Sequence, residues 1–228
     1  MMSEAKHVAI ILDGNRRFAK KMLIAPWKGH MQGKKKVEEL LGYAQELGMQ
    51  EVTLYVLSSD NIKKRSTKEL SYLYRLFQKT FEEMDRTDLS KRGIRFRFIG
   101  NLSLLPAHLC NACLLLQNET TYNTNFIVTV AIAYGGREEI VAAIKKMITH
   151  KVLADEVNEE TVAQYLYASS EPDMIIRTGG EKRMSNFLPW QSIYSEWFFV
   201  DKFWPEFEKK DFVACLEEFK KRKRNFGN

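Results

Sequence analysis

The chain has 228 residues, 45% of them apolar, with a formal net charge of +6 and a pI near 9.1. This is enough for one domain, residues 1–228, with a core around a sheet, and the basic balance favours an anionic partner: nucleic acid, an acidic membrane surface or a phosphorylated small molecule. No apolar run approaches the roughly 18 residues that a bilayer span needs, and three cysteines without an apolar leader lead us to expect a cytoplasmic protein, at most peripheral on a membrane.

In chain order, an apolar run predicts a strand over 8–12 that empties into Asp13-Gly14-Asn15-Arg16-Arg17, followed by Lys20 and Lys21. Val37, Leu40, Leu41, Ala44 and Leu47 recur at helical spacing, with Gly48 as the stop. A second strand, over 52–57, empties into Ser58-Ser59-Asp60-Asn61 and then Lys63-Lys64-Arg65. Ser66-Thr67-Lys68-Glu69 reads as a capping box opening a helix with Leu70, Leu73, Leu76 and Phe77 on one face. Strands follow over 94–99 and 126–133, with a helix over 106–117 between them. That helix carries Cys110 and Cys113; with no second CxxC and no nearby histidine pair, it reads as an amphipathic helix rather than a zinc site. Helices over 138–149 and 160–167 precede a strand over 174–176, which empties into Arg177-Thr178-Gly179-Gly180-Glu181-Lys182-Arg183. A further strand near 197–200 and a helix over 209–223 complete the chain. Strands alternating with helices predict an α/β domain whose mostly parallel sheet is covered on both sides.

In such sheets ligands gather beyond the carboxyl ends of the strands. Three of those ends here deliver arginines, hydroxyls and glycines, the groups that bind phosphate oxygens through guanidinium forks and close backbone N–H groups. The pattern points to more than one phosphate group. It matches neither GxxxxGK[ST], nor, in YGGREEI at 134–140, GxGxxG. Asp13 is out of place in an anion site unless a cation intervenes, and Mg²⁺ binds through one carboxylate, waters and phosphate oxygens. As a bare feature, Asp-Gly-Asn is also simply a good turn.

The blocks HVAIILDGNRRFAKK, GHMQGKKKVEELL, LSSDN, AYGGREEIV, IRTGGEKRMSNFLPWQSIYSEWFF and WPEF occur in this order between residues 7 and 226. Together they resemble the cis-prenyltransferases, the undecaprenyl and dehydrodolichyl diphosphate synthases. The resemblance implies a six-stranded, mostly parallel sheet flanked by helices, an apolar tunnel and a homodimer. It also implies a reaction: an allylic prenyl diphosphate is extended by isopentenyl diphosphate with Z double bonds and Mg²⁺. The DDxxD motif of trans-prenyl synthases is absent, as this requires. By position, Asp13 would act with Mg²⁺ on the allylic diphosphate, enclosed by Gly14, Asn15 and Arg17, with His30 in the same site. Ser58 and Asn61 would lie near the condensation centre, Asn61 and His30 forming an element of proton removal. Arg177, Arg183 and Ser185 would cradle isopentenyl diphosphate, and Glu196 would contribute to Mg²⁺ binding across the dimer. Leu70, Leu73, Tyr74, Phe77, Phe81, Phe96, Phe98 and Ile132 are candidates for the tunnel lining, or ordinary core.

The chain departs from the family pattern at several points. Pro26 replaces an arginine four residues before His30, where Lys28 would have to substitute without the bidentate fork. Ile62 replaces an aromatic residue, Lys64-Arg65 replaces Arg-Pro, and Asn225 replaces the arginine of a C-terminal Arg-x-Gly, with Arg224 beside it. Arg16 is in the style of archaeal and eukaryotic members. Pro26 and Asn225 touch both diphosphate sites and motivate an alternative, irregular coupling of two prenyl diphosphates. A noncatalytic subunit of a heteromeric synthase is a further alternative, opposed by the retained site residues. No nucleic-acid partner is expected: Lys34–Lys36 and the basic run 220–223 stand without any recognition motif.

Overall fold

The computed structural model describes residues 5–222. Within them the strands β1 (His7–Ile11), β2 (Glu51–Ser58), β3 (Ile94–Ile99), β4 (Phe126–Tyr134), β5 (Met174–Arg177) and β6 (Glu196–Phe199) form one sheet, in the order β3-β4-β2-β1-β5-β6. Every neighbouring pair is parallel, so the expectation of a mostly parallel sheet becomes an all-parallel one. The strands read as continuous apolar runs because both faces are covered: all five residues of β1 are buried. On one face Val8, Ile10, Val52, Leu54, Phe96 and Val128 form the larger core. On the other, Ala9, Ile11, Tyr55, Ile175, Phe187 and Leu188 form a smaller one.

Register brings the loaded strand ends together. Ile11 stands opposite both Tyr55 and Arg177, and Ser58 opposite Tyr134. The segments after β1, β2, β4 and β5 therefore leave from the same edge of the sheet.

The helices are α1 (Asn15–Lys21), α2 (Lys28–Glu46), α3 (Ser59–Lys64), α4 (Thr67–Glu82), α5 (Arg86–Arg92), α6 (Ala107–Glu119), α7 (Gly136–Thr149), α8 (Glu159–Tyr165) and α9 (Lys209–Lys221). Helix α2 starts well before the apolar periodicity that predicts it. Its first turns are held by glycines rather than by apolar side chains: a Cβ on Gly29 would lie 2.1 Å from the Asn15 carbonyl oxygen, and one on Gly33 2.3 Å from Asn15 Oδ1. The short α3 and α5 carry too few apolar residues to be seen as periodic. Their caps define them instead, the Ser58 hydroxyl accepting from Asn61 N at 2.9 Å and the Asp85 carboxylate from Thr87 N at 2.8 Å. At Ser66 only half of the capping box forms. Ser66 Oγ accepts from Glu69 N at 3.3 Å, while the Glu69 side chain is buried elsewhere.

Cys113 is buried in the core on α6, where burial pushes its thiol up to about 12, and Cys110 is half-buried. The described residues contain no helix long and apolar enough to cross a membrane.

Candidate active site

A cavity of about 690 Å³ opens at the carboxyl edge of the sheet, between the sheet, α2 and α4. Its mouth is polar, with Asp13, Asn15, Arg16, His30, Ser58, Asn61, Lys64, Arg65, Arg177, Arg183 and Ser185 on the wall; its depth is apolar, walled by Leu54, Leu73, Leu76, Phe77, Phe81, Phe96, Val128 and Val130. Ser58 stands at the level of Tyr134, whereas Val52 stands at the level of Val128 and Phe96. Six residues of strand at ~3.3 Å each separate these two levels by about 20 Å along the sheet. A second cavity of about 550 Å³ shares Leu12, Asp13, Asn15, Arg16, His30 and Arg65 with the first and adds Gly14, Arg17, Lys20, Ile24 and Pro26.

Asp13 is fixed through its backbone. Its carbonyl accepts from Thr178 Oγ1 at 2.7 Å and from Trp204 N at 2.9 Å. The next residue must turn with φ +108°, and a Cβ there would lie 2.9 Å from the Phe203 backbone, so only glycine fits at Gly14. The Asp13 carboxylate accepts from Arg177 Nη2 at 2.9 Å and lies 3.2 Å from Arg17 Nη2. Arg177 is 3% exposed. Its other terminal nitrogen donates to Ser185 Oγ at 2.7 Å and to the Arg183 carbonyl, so this one guanidinium ties the loop after β1 to the loop after β5.

Across the mouth, Glu69 is the buried counter-ion. Its Oε1 lies 3.4 Å from Arg65 Nη1, 3.5 Å from His30 Nε2 and 3.8 Å from Arg16 Nε. Burial, reinforced by the Arg65 guanidinium and opposed by Glu69, pulls the His30 imidazole down to about 4, so it is neutral near pH 7. Burial likewise pulls Arg65 below its ordinary value while Glu69 opposes. Asn15 Oδ1 and Arg65 Nε are buried without a hydrogen-bond partner, and His30 Nε2 and Arg65 Nη1 have only the long contacts to Glu69 Oε1 at 3.5 and 3.4 Å. Such a concentration of unsatisfied polar atoms is unusual in a folded protein and is expected where a polar ligand binds.

Chemically, the arrangement suits an amphiphile with an anionic head at the cationic mouth and a long apolar tail in the hollow. The family model described as "Putative undecaprenyl diphosphate synthase" matches residues 11–227. Proteins of Pyrococcus abyssi and Pyrococcus horikoshii, each named tritrans,polycis-undecaprenyl-diphosphate synthase (geranylgeranyl-diphosphate specific), are 46% identical over 230 residues, covering 97% of this chain and 86% of theirs. The chain belongs to the cis-prenyltransferase family. The crystal structure of lavandulyl diphosphate synthase from Lavandula x intermedia, in complex with dimethylallyl diphosphate, superposes with a TM-score of 0.93 at 33% identity, covering 98% of each chain.

In this cis-prenyltransferase the residues singled out by sequence do not all meet. Asp13, Asn15, Arg16, His30, Ser58, Asn61, Lys64, Arg65, Arg177, Arg183 and Ser185 line one or both cavities, Gly14 and Arg17 line the second, and Lys21, Ser59 and Lys63 line neither. Lys28 does not: it is exposed on the first turn of α2 and lines neither cavity, so it does not replace the cation lost at Pro26, which itself lines the second cavity. Glu196 is also apart from Asp13 within the chain. It begins β6 opposite Met174, at the far end of the strands from Asp13, and accepts from Arg222 Nη1 at 2.7 Å. Asn225 and Arg224 lie outside the described residues. Of the tunnel candidates, Leu73, Phe77, Phe81 and Phe96 line the hollow, whereas Leu70, Tyr74, Phe98 and Ile132 do not. Phe98 packs behind the Phe81 ring, at 5.0 Å between centroids, and Ile132 is buried in the core.

Sequence reasoning missed Glu69 as a site residue, because Ser-x-x-Glu accounts for it fully as a cap. The available signal was its place one turn into the helix following Lys64-Arg65.

Proposed function

We propose that this cis-prenyltransferase condenses isopentenyl diphosphate with an allylic prenyl diphosphate to give a Z-polyprenyl diphosphate. The observation that carries this reading is the union, in one cavity, of a cationic mouth at the strand ends with an apolar hollow whose wall reaches Phe96 and Val128. The Pyrococcus relatives' names add support for geranylgeranyl diphosphate as the allylic substrate.

Departure of diphosphate from the allylic carbon builds negative charge on the leaving group. Preorganised cations such as Arg17, Arg16 and Arg65 stabilise that charge more in the transition state than in the ground state. Asn15 helps enclose the same group; its Nδ2 donates to the Leu12 carbonyl at 3.0 Å, and its Oδ1 is a buried acceptor without a partner. Asp13 suits Mg²⁺ in one respect: it is a cavity-facing carboxylate, partly exposed, and with no group of three or more His, Cys, Asp or Glu among the described residues the ion would lean on substrate oxygens. Mg²⁺ would supply further neutralisation of the leaving diphosphate. The apolar wall excludes water, so the electron-poor carbon meets the alkene of the second substrate rather than solvent. Arg183 and Ser185 hold that second diphosphate, and neutral His30 with Asn61 is available for the closing proton removal.

We further propose a homodimer in the cytoplasm, peripheral on a membrane when its product is released. Helix α7 leaves Val141, Ile144 and Ile148 exposed at i, i+3 and i+7, with Leu153 beyond, a stripe suited to a second copy. Glu196 would contribute to Mg²⁺ binding only in that assembly. Irregular coupling has weaker support, because the 46% identical relatives are named for undecaprenyl synthesis.

The test is labelled isopentenyl diphosphate offered with primers of five to twenty-five carbons, with Mg²⁺ or with EDTA, followed by chromatography. Mg²⁺-dependent extension of the longer primers is expected. Coupling of two allylic diphosphates without isopentenyl diphosphate, or no product at all, overturns the reading.

A further inference from the structure

The loop 183–188 carries Arg183 and Ser185 to the cavity mouth in an unusual backbone conformation. Ser185 (φ +50°), Asn186 (φ +61°) and Leu188 (φ +46°) are all in the left-handed region without being glycine. Such a turn persists only where its surroundings determine it. Phe187 and Leu188 are buried in the smaller core, Phe187 stacked on Tyr55 at 4.6 Å.

What meets the loop on its outer side is the first turn of α7. The Asn186 carbonyl accepts from Gly136 N at 2.9 Å and the Asn186 side-chain Oδ1 accepts from Arg137 N at 2.9 Å. One residue thus satisfies two of the open donors of that helix end. The fit is close: a Cβ on Gly136 would lie 2.0 Å from Pro189 Cδ. The same turn reaches the other substrate loop. Glu138 accepts from Lys63 Nζ at 2.9 Å, on α3, whose N-cap Ser58 and Asn61 face the cavity. Against the opposing effect of burial, the Ser59 hydroxyl and the Lys63 ammonium hold the Glu138 carboxyl below its usual range. The YGGREE stretch is therefore a spacer between two loops that face one cavity.

We propose that Asn186 is a positioning residue for the second substrate: by closing the first turn of α7 through its carbonyl and its Oδ1, it holds the strained Arg183–Ser185 turn at the distance from α3 that the isopentenyl diphosphate requires. This rests on the assignment of Arg183 and Ser185 to that diphosphate. Asparagine suits the place because it tolerates positive φ and also caps. Aspartate keeps both properties and adds charge of the sign a helix start favours, but at a residue that lines the cavity it also sets a carboxylate beside the diphosphates. Glycine and alanine keep the main-chain carbonyl that accepts from Gly136 N but lose the Oδ1 bond to Arg137 N, and glycine alone takes the positive φ without cost.

The experiment compares Asn186→Asp, Asn186→Gly and Asn186→Ala with Arg183→Ala in steady-state kinetics for each substrate, with melting curves to establish which variants are folded. Asn186→Gly and Asn186→Ala are expected to raise KM for isopentenyl diphosphate about tenfold, the factor that corresponds to the loss of a cap. In Asn186→Gly, KM for the allylic substrate should stay within about twofold; Asn186→Asp should match wild type in Tm but raise KM, because Asn186 lines the cavity and the introduced carboxylate faces the diphosphates. The proposal is overturned if folded Asn186→Gly keeps the wild-type KM for isopentenyl diphosphate, if both KM values rise together in Asn186→Gly, if Asn186→Asp melts well below wild type, or if no variant folds. Should Arg183→Ala leave KM for isopentenyl diphosphate unchanged, it is the underlying substrate assignment that fails.

Discussion

Replacing Glu69 by Gln keeps the shape of the side chain and removes the carboxylate that lies within 3.8 Å of Arg65, His30 and Arg16 at the mouth. Glu69 is 7% exposed and the Arg65 side chain 14%. Breaking a buried pair from one side costs about 3–5 kcal/mol. The cavity admits water to one side of this cluster and the amide retains an acceptor, so the loss should be nearer that of one unsatisfied polar group, about 1–3 kcal/mol. For a chain of this size each kcal/mol moves Tm by about 2–4 °C, so a fall of several degrees is expected. The same change leaves the mouth more cationic, so inorganic diphosphate should bind more tightly to Glu69→Gln than to wild type and restore more of its Tm. The assay is thermal unfolding of both proteins over a diphosphate titration. Equal melting curves, or weaker diphosphate binding in the variant, would refute the view of Glu69 as the counter-ion of an anion site.

Further outcomes follow from the same geometry. Asp13→Asn should abolish turnover, because it removes the carboxylate proposed to hold Mg²⁺, and should lower Tm, because Arg177, 3% exposed, loses its charged partner; turnover within tenfold of wild type would contradict this. The His30 imidazole, at about 4 in the fold against 6.5 when unfolded, favours the folded state only when neutral. Stability from this group is complete above pH 6.5 and declines as pH falls toward 4, by about 3 kcal/mol in all; in His30→Asn the Tm should fall less over that range. Val128→Phe, deep in the hollow, should shorten the product at about 1–3 kcal/mol of overpacking cost, as read by chromatography of chain length. Gly29→Ala should separate α1 from α2, because its Cβ would meet the Asn15 carbonyl at 2.1 Å, and both Tm and activity should drop.

Much of the sheet was legible because buried parallel strands announce themselves as apolar runs, and the residues after β1, β2 and β5 were legible because arginine, glycine and hydroxyl groups cluster there with one chemistry. What escaped has physical reasons. The start of α2 is built on glycines that pack by lacking a side chain, which leaves no apolar period to read. Glu69 had a sufficient local explanation, a cap, that concealed a tertiary role. Lys28 neighbours Pro26 in sequence, yet the helix turns it to solvent. A stripe such as Leu70, Leu73, Leu76 and Phe77 shows which side of α4 is inward, but not which of those residues faces a hollow and which a solid core. Asn186 matters through φ and through two hydrogen bonds to a helix far along the chain, neither of which a short motif records.

The central claim is that Asp13 and the surrounding arginines promote loss of diphosphate from the allylic substrate, in step with addition to isopentenyl diphosphate. Its most direct test measures diphosphate release and isopentenyl incorporation together, with geranylgeranyl diphosphate as primer, in wild type and Asp13→Ala. The two quantities should rise one for one in wild type and vanish together in the variant. Incorporation that persists in Asp13→Ala, or release in wild type without incorporation, would contradict the account.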